Sequence, residues 1–380
     1  MLDQLECQAQ VFAVDLHPTQ NLLAYGTIDG TVSIYSYSKT QTSVECNLFS
    51  SSNPHSSSCR SLCFSKTGSQ LHSVSSDMSL QIIDVKTGKR ITRKRDAHKS
   101  AINVVQSLTE DLICTGDDNG IIKLWDLRAK RHIVEFKHQD YITDFQFSAE
   151  KNVLLSSSGD GCLGAWDTRK HKGLGMSGCQ DDELLNICIA RNSTKVISGT
   201  SSGKLNHNLG VILLFSWNQW GDTTDRFPGH PSSVSSVIAS KNDDSTLYTA
   251  SGDGMIRSIH ILPNSLVGVI GDCGDNFPIE VMRLGSCGDI LVTCSHDESI
   301  KFWNTDLMGG SAISKDLAGN SDSSGGDSDI LTDKAEPHGQ ISDSDSDSEE
   351  PETALKVKTK KGIQFKQTPS TSNSFFSGLD

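Results

Sequence analysis

Two stretches of the chain, Leu112–Arg128 (LICTGDDNGIIKLWDLR) and Val153–Arg169 (VLLSSSGDGCLGAWDTR), match almost position for position. Each has an apolar run, a turn rich in Gly and Asp, a second β-prone run and then Trp-Asp. Turn residues between two short apolar runs predict a tight hairpin. A fixed internal period constrains the fold more than any local pattern, because each unit must bury its apolar face against its neighbours. Anchoring each unit on the polar residue at the hairpin tip and stepping six residues on reaches an aromatic or large apolar residue expected in the inner core. Asp29 leads to Tyr35, Asp77 to Ile83, Asn119 to Trp125, Asp160 to Trp166, Asp253 to Ile259 and Asp297 to Trp303. The remaining unit has Ser202 at its tip and resumes at Val211. Removing Lys204–Gly210 (KLNHNLG) restores the offset and brings in Phe215. Tip-to-tip separations of 48, 42, 41, 42, 51 and 44 residues follow by subtraction.

Seven units of this length ending in Trp-Asp or its relatives match the WD repeat, which predicts an all-β, seven-bladed β-propeller over residues 1–308. Only Met1–Gln10 precede the first inner strand, Val11–Pro18, so the strand that closes the ring is expected to be short and to leave the last blade a weak edge. KLNHNLG lengthens an otherwise tight tip; it reads either as a contact loop or as an insertion without function.

After Trp303-Asn304 the composition changes. Residues 309–355 are rich in Gly, Ser and Asp and hold too little apolar surface to offset the entropy of ordering, which predicts disorder. Ser342, Ser344 and Ser346 each have an acidic residue three places on and resemble acid-directed phosphorylation sites. Residues 356–366 reverse the charge, as an import signal or a solubilising tail would. Residues 309–380 carry 13 acidic and 7 basic residues, net −6, which leaves −7 of the total −13 for the body. A body of that sign is not a general nucleic-acid binder. Against it stands Lys86, Lys89, Arg90, Arg93, Lys94, Arg95 and Lys99, seven basic residues in fourteen. They read either as a solvated outer strand and loop or as a patch facing RNA or an import receptor.

His55, His98, His138 and His230 precede their tips by 22, 21, 22 and 23 residues, a spacing that points to structure rather than catalysis. Asp77, Asp160 and Asp253 are their expected tip partners. The first, fifth and seventh units lack such a histidine. Cys59 and Cys63, spaced CxxxC after His55, have no fourth ligand nearby, and no metal site is expected. GLGMSG at 173–178 satisfies GxGxxG without the strand-then-helix context of a phosphate cradle, so no nucleotide, cofactor or other small-molecule ligand is expected. The motifs GxxxxGK[ST] and HExxH are absent, and tip carboxylates placed one per blade do not make a catalytic pair, so the chain is not expected to be an enzyme. Eleven cysteines, an odd number set singly, suit a reducing compartment. MLDQLECQAQ has no signal-peptide pattern, and no apolar run approaches a membrane span.

Two units end in Trp-Asp-x-Arg: Trp125, Asp126 and Arg128, then Trp166, Asp167 and Arg169. Arginine's fork of donors suits carboxylates and carbonyls at an interface, and adjacent blades should place both arginines on one face. The ending resembles the signature of substrate receptors for cullin-4 RING ubiquitin ligases, in which that arginine contacts the damaged-DNA-binding-protein adaptor. The alternative is a solvated strand end. The wider sequence, from VFAVDLHPTQNLLAYGTIDGTVSIY through YITDF at Tyr141–Phe145 to LLSSSGDGCLGAWDTR, resembles the WD-repeat-containing protein 55 family, as do the acidic-then-basic tail and Phe375-Phe376. That resemblance implies a non-enzymatic scaffold, nuclear and nucleolar with some cytoplasmic presence. Plant members are linked to the cullin-4 ligase and to reproductive and embryo development. It also implies the alternative role, ribosomal RNA processing in contact with pre-ribosomal particles or nucleolar proteins. In WD-repeat proteins generally the blade histidine bonds the tip Asp, a strand hydroxyl and the Trp, which carries most directly onto His138, Asp160 and Trp166. The sequence leaves a trafficking or cytoskeletal scaffold open as a further reading.

Overall fold

The structure, a computed structural model, describes residues 1–40, 42–129, 131–201, 210–274 and 277–305. The tail serines 342, 344 and 346, the tip residue Ser202 and most of KLNHNLG lie outside the described residues. Among the described residues every regular element is a strand, and these strands form seven four-stranded antiparallel sheets. Blade 1 runs Val11–Leu16, Leu22–Thr27, Val32–Lys39, Val44–Ser52 from the axis outward, and blade 2 begins at Cys59–Phe64 with Arg90–Lys94 outermost. Blade 3 spans Ile102–Ser107 to His132–Lys137 and blade 4 Ile142–Ser148 to Lys172–Met176. Blade 5 spans Leu184–Ala190 to Asp225–His230 and blade 6 Val234–Ala239 to Ser265–Asp272. The seventh sheet consists of Ile279–Leu284, Ile290–Ser295 and Ser299–Asn304, with Asp3–Glu6 as its outer strand. The closing strand is short, as expected, yet pairs along its whole length from Asp3↔Phe302 to Glu6↔Ser299.

The hairpin tips follow from backbone geometry. In blade 3 Gly120 N–H donates to Asp117 C=O at 3.2 Å, and Gly120 has φ +73°. A three-residue hairpin of this kind needs a left-handed residue there. A Cβ would sit 2.6 Å from the Asp140 carbonyl oxygen, so only glycine fits. Apolar residues on both faces of the middle strands form clusters shared between neighbouring blades. Trp166, for example, packs with Ile122, Leu124 and Phe136 of blade 3, its ring stacked 4.7 Å from that of Phe136. Full burial of a side chain of this class is worth roughly 1.5–3 kcal/mol.

Side chains also stitch each inner strand to the next. Asp15 accepts from Phe64 N–H (2.8 Å), Ser61 from Val105 N–H (3.3 Å), Asp144 from Ile187 N–H (3.0 Å) and Asn186 from Val237 N–H (2.8 Å). Asn103 donates to Ile142 C=O (3.3 Å), Ser235 donates to Ile279 C=O, and Arg283 closes the circle on Asp15 at 3.8 Å. These bonds fix the seven inner strands as a ring. Five of the six residues expected to enter the inner core at the six-residue offset are buried, and so is Phe215, which pairs with Val196 as Trp166 pairs with Leu154. The exception is Tyr35, half-buried and stacked on Tyr25 at 5.7 Å.

Candidate functional site

In an antiparallel four-stranded blade, the turns after the second and fourth strands lie at one end and those after the first and third at the other. The tip face therefore carries the histidine networks, and the opposite face carries the Trp-Asp-x-Arg endings.

The networks differ from blade to blade. In blade 4 His138 Nε2 meets Ser156 Oγ at 2.7 Å and Nδ1 meets Asp160 at 3.3 Å, while Trp166 Nε1–H donates to the same Ser156 at 2.7 Å. This is the arrangement the sequence predicts. In blade 3, whose tip residue is Asn119, His98 bonds Asp117 two residues earlier, at 2.8 Å. Thr115 there bonds both His98 (2.7 Å) and Trp125 (2.8 Å). Burial would raise the Asp117 carboxyl, but His98 and the Ile121 N–H hold it below its ordinary value. In blade 2 His55 bonds Ser79 (3.0 Å) and Ser73 (2.9 Å) and stands 3.5 Å from Asp77, with Ile83 where a Trp would donate. Blade 6 departs furthest. His230 reaches Thr249 at 3.0 Å but not Asp253, whose carboxylate is taken by Arg257 at 2.6 and 3.1 Å. His230 Nδ1 is buried with no partner, and burial lowers this histidine to about 4. Blade 7 has no histidine at the corresponding position, some 22 residues before its tip; Lys301 neutralises Asp297 instead, and Trp303 still donates to Thr293 at 2.9 Å.

Sequence reasoning missed the position four residues after each tip. Gln81 donates to the Pro54 carbonyl, Lys123 to that of Ala97 (2.9 Å) and Lys301 to that of Cys273, tying the third strand to the loop from the preceding blade. In blade 4 the position is Gly164, where a Cβ would stand 2.7 Å from His138 Nε2.

On the opposite face the two arginines are in different states. Arg128 is exposed but clamped: Nε and Nη2 donate to Asp126 at 2.9 and 2.8 Å, and Asp111 lies 3.4 Å away. The Arg128 fork holds the Asp126 carboxyl at about 2. The exposed Arg169 bonds Asp167 only through its backbone N–H, at 2.9 Å, and among the described residues its guanidinium meets no partner. The basic run of blade 2 also divides. Lys86, Lys89, Arg90, Arg95 and Lys99 are exposed, whereas Arg93 turns to Asp77 (3.4 Å) and Lys94 donates to Ala129 C=O (3.3 Å) beside the Trp125 ring. GLGMSG begins on the outer strand Lys172–Met176.

The seven inner strands enclose a cavity of about 390 Å³ whose polar lining includes Asp15, Asp144, Arg283, Lys66 and Lys241. Burial raises both carboxyls, and each is already bonded to a neighbouring blade's backbone. Among the described residues no group of His, Cys, Asp and Glu has the geometry to hold a metal.

A family model described as WDR55 matches residues 2–308. The WD repeat-containing protein 55 of Mus musculus is 35% identical over 80% of this chain and 75% of its own length. Its namesake in Arabidopsis thaliana is 34% identical over 82% and 85%. The WD repeat-containing protein JIP5 of Coprinopsis cinerea is 34% identical over 80% and 74%.

Proposed function

The chain belongs to the WDR55 family of WD-repeat propellers, and from that premise we propose that this scaffold is a substrate receptor docking the damaged-DNA-binding-protein adaptor of a cullin-4 RING ubiquitin ligase. One observation carries the reading: Arg128 and Arg169 stand exposed on the same face of adjacent blades, each three residues beyond a buried tryptophan that fixes its strand end. Arg169 presents an unspent fork of donors. Arg128 must share its fork with Asp126, so Arg169 is assigned the larger part of docking. In a plant, developmental roles in reproduction and the embryo would follow from the substrate delivered.

The test is capture of the tagged chain from cell extract beside Arg128→Ala, Arg169→Ala and the double variant. Adaptor and cullin-4 should accompany the parent, fall most with Arg169→Ala and vanish with the double variant, with melting temperature unchanged. Equal recovery from all four removes the arginines from any docking role.

A second reading rests on the five exposed cations of the 86–99 run, set on a body that is otherwise acidic. They would suit a nucleolar ribosome-assembly factor that meets pre-ribosomal particles and acts in ribosomal RNA processing. Co-sedimentation with such particles should then weaken with salt and disappear when Lys86, Lys89 and Arg90 are neutralised.

A further inference from the structure

Blade 4 holds a pair of side chains that neither the docking face nor the histidine network uses. The Sγ atoms of Cys162 and Cys179 lie 2.7 Å apart, closer than unbonded sulfurs ordinarily pack. Cys162 directly follows the tip Asp160-Gly161, and Cys179 lies just past the outer strand Lys172–Met176. Backbone bonds hold both segments. Cys162 N–H donates to Asp160 at 2.8 Å and Leu163 N–H to Ser177 Oγ at 2.8 Å. Ser177 N–H donates to Leu163 C=O at 2.8 Å and Gln180 N–H to Gly161 C=O at 3.0 Å. The two sulfurs are therefore brought together by a fixed frame rather than by mobile ends. Cys162 is 4% exposed, whereas Cys179 is open to solvent.

We propose that Cys162 and Cys179 form a reactive dithiol that a hydroperoxide converts into a disulfide within blade 4. Cys179, the accessible thiol, attacks as its thiolate on one peroxide oxygen. The O–O bond breaks, an alcohol (water, for hydrogen peroxide) leaves, and Cys179 becomes a sulfenic acid. The Cys162 sulfur then attacks that sulfur; the S–O bond breaks and hydroxide departs with the Cys162 proton as water. In sum, two thiols and one hydroperoxide give one disulfide, one alcohol and one water. The order is set by burial, which raises the Cys162 thiol and suits it to resolve rather than to initiate. A disulfide needs about 2.0 Å between sulfurs, so from 2.7 Å closure asks the two sulfurs to approach by only about 0.7 Å. The link would tie the hairpin tip to the outer strand at the end of the blade opposite Arg169, and it does not rest on the docking proposal.

The full chain is treated with one equivalent of hydrogen peroxide, alkylated under denaturing conditions and digested with trypsin. Peptides 152–169 and 173–191 should emerge joined, lighter than their sum by two hydrogens, with fragment ions placing the link at Cys179 rather than Cys188, and dithiothreitol should separate them. In Cys162→Ser the same treatment should leave Cys179 as a sulfenic acid that a 1,3-dione captures. Recovery of Cys162 as free thiol while Cys179 is over-oxidised, or a link through Cys188 or between molecules, overturns the proposal, and the parent chain alone is enough to decide.

Discussion

Blades 3 and 6 solve the same problem by different chemistry. Each has an aspartate at its hairpin turn that must be kept ionised while partly or wholly removed from water. In blade 3 the partner comes from outside the hairpin: His98, in the loop entering the blade, reaches Asp117 and Thr115, and Trp125 completes the chain. In blade 6 it comes from within: Arg257, four residues past Asp253, supplies a two-pronged bond. Its histidine is left with one nitrogen unbonded and Ile259 stands where the tryptophan would be. Blade 7 repeats the second solution with Lys301. In these three blades the turn aspartate is compensated either by the histidine of the entering loop or by a cation four residues past the tip.

The sharpest way to break this comparison is to remove each histidine in turn. His98→Leu should cost about 3–5 kcal/mol, because a buried Asp117 is left uncompensated, whereas His230→Leu should stay within about 1 kcal/mol, since one modest bond is lost and a buried unpaired nitrogen is relieved. Equilibrium urea unfolding reads both, and equal losses would end the distinction. Arg257→Met should fall between them at about 1–2 kcal/mol, because Asp253 keeps some access to solvent that screens it.

Acid supplies the smallest and most general test. Burial holds His72 and His230 down to about 4 and lowers His98 in the same direction. The unfolded chain therefore takes up protons first. Stability contributed by these groups is full above the ordinary histidine value and declines as pH falls from it toward about 4. His296, raised by Glu280, acts in the opposite sense and offsets part of this. The midpoint of unfolding should shift down over that window, and less in His230→Leu than in the parent.

The seven units and their aromatic anchors were legible because they depend on offsets within one hairpin, where spacing along the chain equals spacing in the sheet; the blade 4 network was legible because His138 keeps the repeat's 22-residue spacing to Asp160. Asp117 was hidden by the same logic. Aligning the tip on Asn119 assumes one residue type per position, and in TGDDN the carboxylate has moved two places while the histidine has followed it. Arg257 and Lys301 were visible as cations four residues past their tips, but only the third strand's pairing shows which side of the sheet they face. Whether an arginine after Trp-Asp is clamped or free depends on a neighbour such as Asp111, which no motif contains. The sulfur pair bridges a third strand and the segment past an outer strand across a bulge between Ala165 and Trp166, which shifts the register that spacing would predict.

The outer strand of the seventh blade, Asp3–Glu6, precedes every other strand of the ring along the chain and pairs with the last of them, Ser299–Asn304. During translation this strand has no partner until some three hundred residues have followed it, so six blades must persist as an open arc with unpaired edges at both ends. Pairings so distant in sequence are slow to form. For this molecule, the interval between emergence of Asp3 and emergence of Asn304 is the period of greatest exposure to misassembly, and it ends with a four-residue latch.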